Sequence, residues 1–201
     1  MPIVAGRPRG SYAGTPARRQ AILQAALEVF AVSGYRGGSM RDIAERLGMS
    51  HTSLLHHFRT KSDLLAGVLE LRDQEAEELI GAPSPGADRL RGLVRLVEHN
   101  QAVPGIVELF CVLSAEATSP EHPAHGYFRD RYERVVAFVE DSLAVMAAAG
   151  ELHEGVSPAV EARAIVALTD GLQLQWLLDR DSVDMVTDLR AYLAKVSPLA
   201  F

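Results

Sequence analysis

The chain has 201 residues, of which 48% are hydrophobic and 23% charged, a balance that excludes a disordered chain and is typical of a globular protein. A single cysteine, Cys111, excludes an internal disulfide and suits a reducing compartment. The net charge of −6, taken alone, argues against a nucleic-acid partner. No run is fit for a signal peptide, and the longest apolar run, residues 143–149, is too short to span a bilayer. We therefore expect a cytoplasmic protein without a membrane partner.

The distribution of charge reverses the argument from net charge. Up to Ser62 there are nine basic and three acidic residues, a net charge of +6, which leaves −12 for the remainder. The basic residues are Arg7, Arg9, Arg18, Arg19, Arg36, Arg41, Arg46, Arg59 and Lys61. A basic first third and an acidic body predict a small polyanion-binding part on a domain with another task.

Residues 1–14 are rich in glycine, proline and arginine and predict a flexible basic arm. Its Arg7-Pro8-Arg9 segment either enters a minor groove or is a solvated tail. Thr15 followed by Pro16 predicts the start of a first helix that Gly34 ends.

Residues 39–65, SMRDIAERLGMSHTSLLHHFRTKSDLL, predict two short helices and the start of a third. Ser39 caps the first helix, and Gly48 supplies a left-handed residue after it. Ser50 caps the second, in which Leu54 and Phe58 share the inner face. This is a helix-turn-helix whose second helix is polar enough to enter a DNA major groove.

The stretches IAERLGMS, LxxHF and KSDLL resemble the DNA-binding segment of the tetracycline-repressor (TetR) family of bacterial regulators. The resemblance is strong over residues 16–66 and weak beyond them. One departure is clear, because Leu55 stands where the family usually has an aromatic residue.

Two sets of DNA contacts follow. Polar residues at the start of the second helix, together with Arg41, have side chains suited to base edges, and the resemblance adds Leu55 and His56. It also implies phosphate contacts. We therefore assign base contacts to Arg41, His51, Thr52, Ser53, Leu55 and His56, and phosphate contacts to Ser39, His57 and Lys61.

The body is predicted to be helical as well. Breaker residues at 81–88 separate it from the first part, and apolar residues recur at helical spacing in residues 90–100, 106–117, 125–149 and 158–178. Ser182 is expected to cap a last helix. No segment alternates with period two, so the class is all-α.

No catalytic motif appears in the body, so an enzyme is not expected. The adjacent His56 and His57 point about 100° apart and do not share one metal ion. His122 and His125 are either half a metal site, with His99 or Glu121, or an exposed polar helix start. We expect no metal and no cofactor.

The stretch of residues 164–178 is apolar on more than one face, and Gly171 within it permits close backbone approach. With the helix before it, the stretch resembles the family's four-helix dimer interface. The residues assigned to this interface are Val135, Val139, Leu143, Ile165, Leu168 and Leu172. The alternative, for Trp176, is that it fills the core of one protomer.

By analogy with the family fold, the remaining helices enclose a pocket for a small molecule. Its assigned lining residues are His99, Phe110, Cys111, Ser114, Tyr132, Gln173 and Trp176.

The resulting expectation is an N-terminal three-helix helix-turn-helix DNA-binding domain (residues 15–62) followed by a C-terminal helical ligand-binding and dimerisation domain (residues 63–201). The partners expected are double-stranded DNA, a second copy of the chain and an unidentified small-molecule effector. The function expected is a dimeric repressor that a ligand releases from a pseudo-palindromic operator. The alternatives are an activator or ligand-independent regulator, and a small-molecule binding protein or enzyme with a vestigial DNA-binding head.

Overall fold

The computed structural model describes residues 16–81 and 84–201, and over these residues it contains helices and no strand. The predicted all-α class is confirmed. The basic arm and the expected cap Thr15 lie outside the described residues. The helices are α1 (Pro16–Gly37), α2 (Met40–Arg46), α3 (His51–His57), α4 (Lys61–Ile80), α5 (Ala87–Ala102), α6 (Pro104–Glu116), α7 (His125–Ala148), α8 (Pro158–Leu178) and α9 (Met185–Val196). Over the same described stretches, none has the length and apolar character that crossing a membrane requires.

Local capping contacts set the ends of α2 and α3. The Ser39 hydroxyl accepts a hydrogen bond from the Asp42 backbone N–H at 3.2 Å, and the Asp42 carboxylate accepts one from the Ser39 N–H at 3.0 Å. Ser50 caps α3 in the same way, accepting from the Ser53 N–H at 3.1 Å. Gly48, with φ of 60°, forms the left-handed turn between the two helices. These contacts confirm the predicted boundaries, because they depend on residues close together in the chain.

Several helix boundaries differ from the prediction. Helices α5 and α6 begin three and two residues before the predicted segments, and the ends of α1 and α9 differ for local reasons. Helix α1 breaks at Gly34, where φ is 65°, but the helical turns then continue to Gly37 instead of opening into a loop. Helix α9 is capped by Asp184 and not by Ser182. The Asp184 carboxylate accepts from two backbone N–H groups of the first turn, at 3.1 and 3.2 Å. A side chain directly before the first turn reaches those amides, and one two residues earlier does not.

Two apolar cores meet at helix α6. The first joins the inner faces of α1 to α4, where Phe30 and Leu54 are fully buried, and Leu109 and Leu113 of α6 complete it. The second lies among α5, α7, α8 and α9 and includes Val107 of α6. Short helices bury too little apolar surface to be stable alone. The body therefore supplies α6, in addition to the expected α4, to stabilise the helix-turn-helix part.

The second core contains residues that the sequence assigned to a dimer interface. Within one protomer, Val139, Leu143, Ile165 and Leu172 are buried, and Val135 and Leu168 are half-buried against the same core. The assignment is wrong for the four buried residues, because their own protomer already covers their side chains.

The outer face of α8 presents a different apolar set, which we call the α8 stripe. Its members recur at alternating spacings of four and three residues: Val160, Ala164, Ala167, Gly171, Leu174 and Leu178. Val160, Leu174 and Leu178 are 64%, 54% and 80% exposed. A Cβ added at Gly171 would meet only the end of the Gln175 side chain, at 4.0 Å, so the backbone is open to close approach there.

Candidate nucleic-acid interface and ligand cavity

Helix α3 presents one polar face outward. Leu54 and Phe58 hold the opposite face in the first core, at 0% and 3% exposure. The residues assigned to base contacts on this helix share the outer face: His51, Thr52, Leu55 and His56 are exposed, and Ser53 is half-buried. Side chains at a helix surface four residues apart lie above one another, so these groups form one continuous exposed surface.

Arg41, the remaining residue assigned to base contacts, is exposed on α2. It makes no hydrogen bond or ion pair with any residue described, whereas Arg46 on the same helix pairs with Glu28. Arg59, directly after α3, is also exposed and likewise has no such partner in the described chain. The sequence reasoning missed Arg59, although its place just after the LxxHF stretch was a usable signal.

The residues assigned to phosphate contacts differ in how many contacts their side chains already make within the protein. The Ser39 oxygen accepts a capping bond, so its hydroxyl hydrogen remains free to be donated. His57 is half-buried. Lys61 is held in place, because its Nζ lies 4.5 Å from the centroid of the Tyr35 ring and 3.5 Å from the Arg36 carbonyl oxygen. Burial lowers the pKa of Lys61.

Tyr35 joins the helix-turn-helix part to the end of α6, and we call its contacts the Tyr35 junction. Because α1 breaks at Gly34, the Tyr35 backbone N–H points away from the helix and donates to Glu116 Oε2 at 2.8 Å. The Tyr35 hydroxyl lies 2.9 Å from the Ser62 hydroxyl. A Cβ at Gly34 would lie 2.6 Å from Glu116 Oε1, so a side chain there would displace the carboxylate from its present position.

His122 belongs to the same junction. It is 4% exposed, its ring meets Tyr35 edge-on with centroids 5.1 Å apart, and its Nε2 lies 3.6 Å from Glu116 Oε2. Burial lowers the pKa of His122. His125 Nδ1 lies 2.8 Å from the Ala117 carbonyl oxygen. The reading as an exposed helix start is therefore wrong for His122. Over residues 16–81 and 84–201, no three metal-binding side chains are grouped to hold an ion.

A cavity of about 510 Å³ lies between α4, α6, α7 and α8. A second space of about 320 Å³ adjoins it towards α5. The two share part of their lining, including Asp73, Asn100, Arg131, Asp170 and Gln173. This size suits a small organic molecule.

The structure brings together five of the seven residues assigned to the pocket. Phe110, Cys111, Ser114, Tyr132 and Gln173 line the larger cavity. His99 and Trp176 line neither space. Trp176 is 4% exposed within the second core, which is the alternative that the sequence left open.

Charged residues of the lining were missed. Arg72 is 3% exposed, although arginine is rarely buried without partners. Its position three and four residues after Leu69 and Val68 places it on the inner face of α4, which was a usable signal. Arg131 and Asp170 also line the cavity.

Two family models match this chain, one over its N-terminal part and one over most of the remainder. The family model described as "Bacterial regulatory proteins, tetR family" matches residues 22–68, and the model described as "BetI-type transcriptional repressor, C-terminal" matches residues 86–198. The chain belongs to the TetR family of bacterial transcriptional regulators. The family resemblance stated from the sequence is confirmed. A transcriptional regulator is not an enzyme, so that prediction is also confirmed.

Relatives and solved structures agree with this assignment. This TetR-family protein is 26% identical over 167 residues to the HTH-type transcriptional regulator PksA of Bacillus subtilis. The alignment covers 81% of this chain and 80% of PksA. A TetR-family regulator from Rhodococcus sp. superposes with a TM-score of 0.74 at 27% identity, covering 91% of this chain and 100% of the other. A regulator from Saccharomonospora viridis, solved with choline, shares the fold with a TM-score of 0.74 at 22% identity, covering 91% of this chain and 99% of that one.

In this TetR-family protein the cavity contains titratable groups shifted by burial. The Tyr132 hydroxyl donates to Asp170 Oδ2 at 2.8 Å. Burial raises the pKa of Asp170, and it raises that of Tyr132 to about 12. Burial also raises the pKa of Cys111 to about 11, so the thiol stays protonated and unreactive near neutral pH. Hydrogen bonding and packing, not thiol chemistry, are what these groups offer a ligand.

Proposed function

We propose that this TetR-family regulator is a homodimeric repressor in the cytoplasm that binds a pseudo-palindromic operator and leaves it when a small molecule enters the cavity. Residues 15–62 form the DNA-binding domain, and residues 63–201 form the effector-binding and dimerisation domain. Helix α3 lies in a major groove, with base contacts from Arg41, His51, Thr52, Ser53, Leu55 and His56. Ser39, His57 and Lys61 contact phosphates, and the exposed Arg59 is added to them.

The observation that carries the proposal is the position of α6. Phe110, Cys111 and Ser114 of this helix line the cavity. Its last residue, Glu116, accepts the hydrogen bond from Tyr35 in the DNA-binding part. A ligand that moves α6 therefore acts directly on the Tyr35 junction. Helix α4 offers a parallel route, because Arg72 lines the cavity and Lys61 begins the same helix.

The α8 stripe is the proposed contact surface of the dimer, together with the outer face of α7. It is apolar and exposed, and its heptad-like spacing suits a helix packing against its own copy across a two-fold axis. Gly171 allows the two backbones to come close. Two-fold symmetry places two α3 helices where a palindromic site presents two major grooves.

Release requires the ligand to bind the DNA-free conformation more tightly than the DNA-bound one. A 100-fold difference in affinity corresponds to about 2.7 kcal/mol. A cavity of this size with several buried polar groups can supply a difference of that order.

The decisive experiment is selection of genomic DNA fragments with the purified protein, followed by titration of the selected duplex. Operator affinity should fall steeply as salt rises, because several phosphates per dimer are neutralised. A salt-independent affinity, or no fragment enriched over random DNA, would refute the proposal.

Two variants separate base from phosphate contacts. Arg41→Ala should relax base preference on the selected duplex, whereas Lys61→Ala should weaken selected and random DNA about equally. Arg190→Ala, an exposed residue on α9, is the matched control and should change neither. Because Lys61 also packs on Tyr35, circular dichroism must show that its variant is folded. Equal loss of sequence preference in both variants contradicts the division of roles.

A further inference from the structure

Two arginines that line the cavity have N–H groups for which the described protein provides no hydrogen-bond acceptor. Arg72 Nη1 donates to Glu75 Oε2 at 2.9 Å, and Nη2 donates to Asn100 Oδ1 at 3.3 Å. The third group, Nε, is buried and has no partner in the described chain. A buried donor without an acceptor is costly, so a ligand oxygen brought to the Arg72 guanidinium would relieve that cost. Because Nε itself has almost no accessible surface, the side chain must shift slightly to meet that oxygen.

Arg131 adds a second guanidinium with unused donors. Its Nε lies 3.8 Å from Asp73 Oδ1, which is longer than a hydrogen bond, and no closer polar partner exists for it in the described chain. Its guanidinium lies over the Phe110 ring at 4.7 Å from the centroid, and that of Arg72 lies at 6.0 Å from the same ring. Both arginines line the larger cavity.

The carboxylates nearby do not offset this surplus. Asp73 already accepts from the Tyr127 hydroxyl at 2.8 Å and from Arg134 Nη2 at 3.4 Å. Asp170 accepts from Tyr132, and burial raises its pKa, so it is protonated more readily than an ordinary aspartic acid.

The aromatic lining does not favour a cationic ligand. A cage for a quaternary ammonium needs free ring faces, but guanidinium groups already occupy positions over Phe110. An added cation would also meet the charges of Arg72 and Arg131. Two carboxylates line the cavity as well, but Asp73 already lies beside Arg131 and Arg134, and Asp170 accepts from Tyr132. An anion at the same place would be attracted by both cavity arginines and would accept from their unused N–H groups.

We propose that the effector is an amphipathic organic acid whose carboxylate accepts hydrogen bonds from Arg72 Nε and from the Arg131 guanidinium, with its apolar body against Ile106, Val107 and Phe128. The role of this acid as an effector rests on the proposed function. Its binding in the cavity does not depend on that function and can be tested separately.

The test is calorimetric titration of the full-length protein with three probes that share one apolar body: 4-phenylbutanoate, 4-phenylbutanol and 4-phenylbutyl-trimethylammonium. The carboxylate should bind at least about tenfold more tightly than the alcohol, and the trimethylammonium compound most weakly. Tighter binding of the alcohol or the ammonium compound, or no carboxylate binding at millimolar concentration, overturns the proposal.

Arg131→Gln should weaken carboxylate binding by about tenfold or more and change alcohol binding less than about twofold, and Arg131→Lys should recover part of the loss. Arg134→Gln is the matched control. Arg134 lies on the same helix and shares Asp73, but it lines only the adjoining space, so carboxylate binding should remain within about threefold. Arg72→Lys, which retains the charge but lacks Nε, should also lose carboxylate affinity. Carboxylate binding that persists in both Arg131→Gln and Arg72→Lys overturns the proposal.

Titration of the selected operator with the same preparations separates the two proposals. If the carboxylate binds through the arginines and operator affinity does not change, the site stands and its effector role fails. If no DNA is bound in any condition, the proposed function fails while calorimetry still decides the site.

Discussion

Replacing Glu116 with alanine should loosen the contact between the DNA-binding part and the body. Its carboxylate accepts the Tyr35 N–H bond at 2.8 Å and lies 3.6 Å from His122 Nε2. The break at Gly34 frees that N–H from the ladder of α1, so without Glu116 the amide has no acceptor from the described protein. The variant therefore removes the Glu116 acceptor and leaves the Tyr35 N–H donor without a hydrogen bond.

The magnitude follows from charge and exposure. A hydrogen bond to a charged acceptor contributes about 1.5–3 kcal/mol net, and the Glu116 side chain is 24% exposed, so the lower end applies, about 1.5 kcal/mol. For a chain of this size that corresponds to a fall in Tm of about 3–6 °C. Glu116→Gln retains an acceptor oxygen without the charge and should lose about half as much free energy.

The assay is urea unfolding at fixed protein concentration, with the midpoint compared at constant slope. Hydrogen exchange at the Tyr35 amide provides a local readout, since protection there should fall in Glu116→Ala and largely persist in Glu116→Gln. Glu121→Ala is the control, because Glu121 is exposed and its carboxylate accepts from the nearby Ser119 hydroxyl and not from the Tyr35 amide.

The reasoning is refuted if Glu116→Ala and Glu121→Ala unfold at the same urea concentration and the Tyr35 amide is equally protected in both. A large loss in Glu116→Ala with unchanged Tyr35 protection would place the effect elsewhere in the junction.

Three further predictions concern other parts of the molecule. Because burial lowers the His122 pKa, the unfolded chain binds more protons than the folded chain below about pH 6.5. The free energy of unfolding should therefore fall as pH falls through that range, and His122→Gln should make it depend less on pH. An unchanged slope of unfolding free energy against pH in this variant contradicts the prediction. Ser39→Ala should cost about 1 kcal/mol in urea unfolding, and Ser39→Thr less, whereas equal losses would argue against the cap. Leu174→Glu should shift the protein towards monomer in sedimentation, while Val32→Glu, exposed in the DNA-binding part, should not; a monomeric parent protein contradicts the dimer.

The helices and the helix-turn-helix were predictable because their signals are local. Ser39, Ser50 and Gly48 act on amides and dihedral angles within a few residues of their own positions. A sequence pattern reports such contacts directly, and the resemblance of residues 16–66 to the TetR family adds to them.

The face that α8 buries was not predictable in the same way. Two sides of α8 have similar apolar periodicity in the sequence. One side contains Leu168 and Leu172, and the other contains Leu174 and Leu178. The packing of α6, α7 and α9 against α8 decides which side is inside, and that packing involves residues outside the α8 sequence itself. The same limit applies to His122, since its burial depends on Tyr35, far away in sequence.

The arginines of the cavity were missed because a pocket was expected to be mostly apolar. Arg72 continues the inner face of α4, and a charged residue in a core position was the signal to follow. Its partner Glu75 lies three residues later on the same helix, but its partner Asn100 comes from α5, so the sequence shows the anomaly and only part of its resolution.

Helix α6 gives a physical reason why occupancy of the cavity should be felt at the DNA-binding part. Leu109 and Leu113 are fully buried against the first core, while Phe110 and Ser114, each one residue later, line the cavity. Adjacent faces of one helix cannot move independently, since the backbone ladder makes the helix rigid and the core around Leu109 is close-packed. We therefore expect a ligand that displaces Phe110 to shift Leu109 and Leu113 within the first core and to carry Glu116 along. The alternative, a change confined to the Phe110 side chain, would leave the Tyr35 amide equally protected with and without ligand.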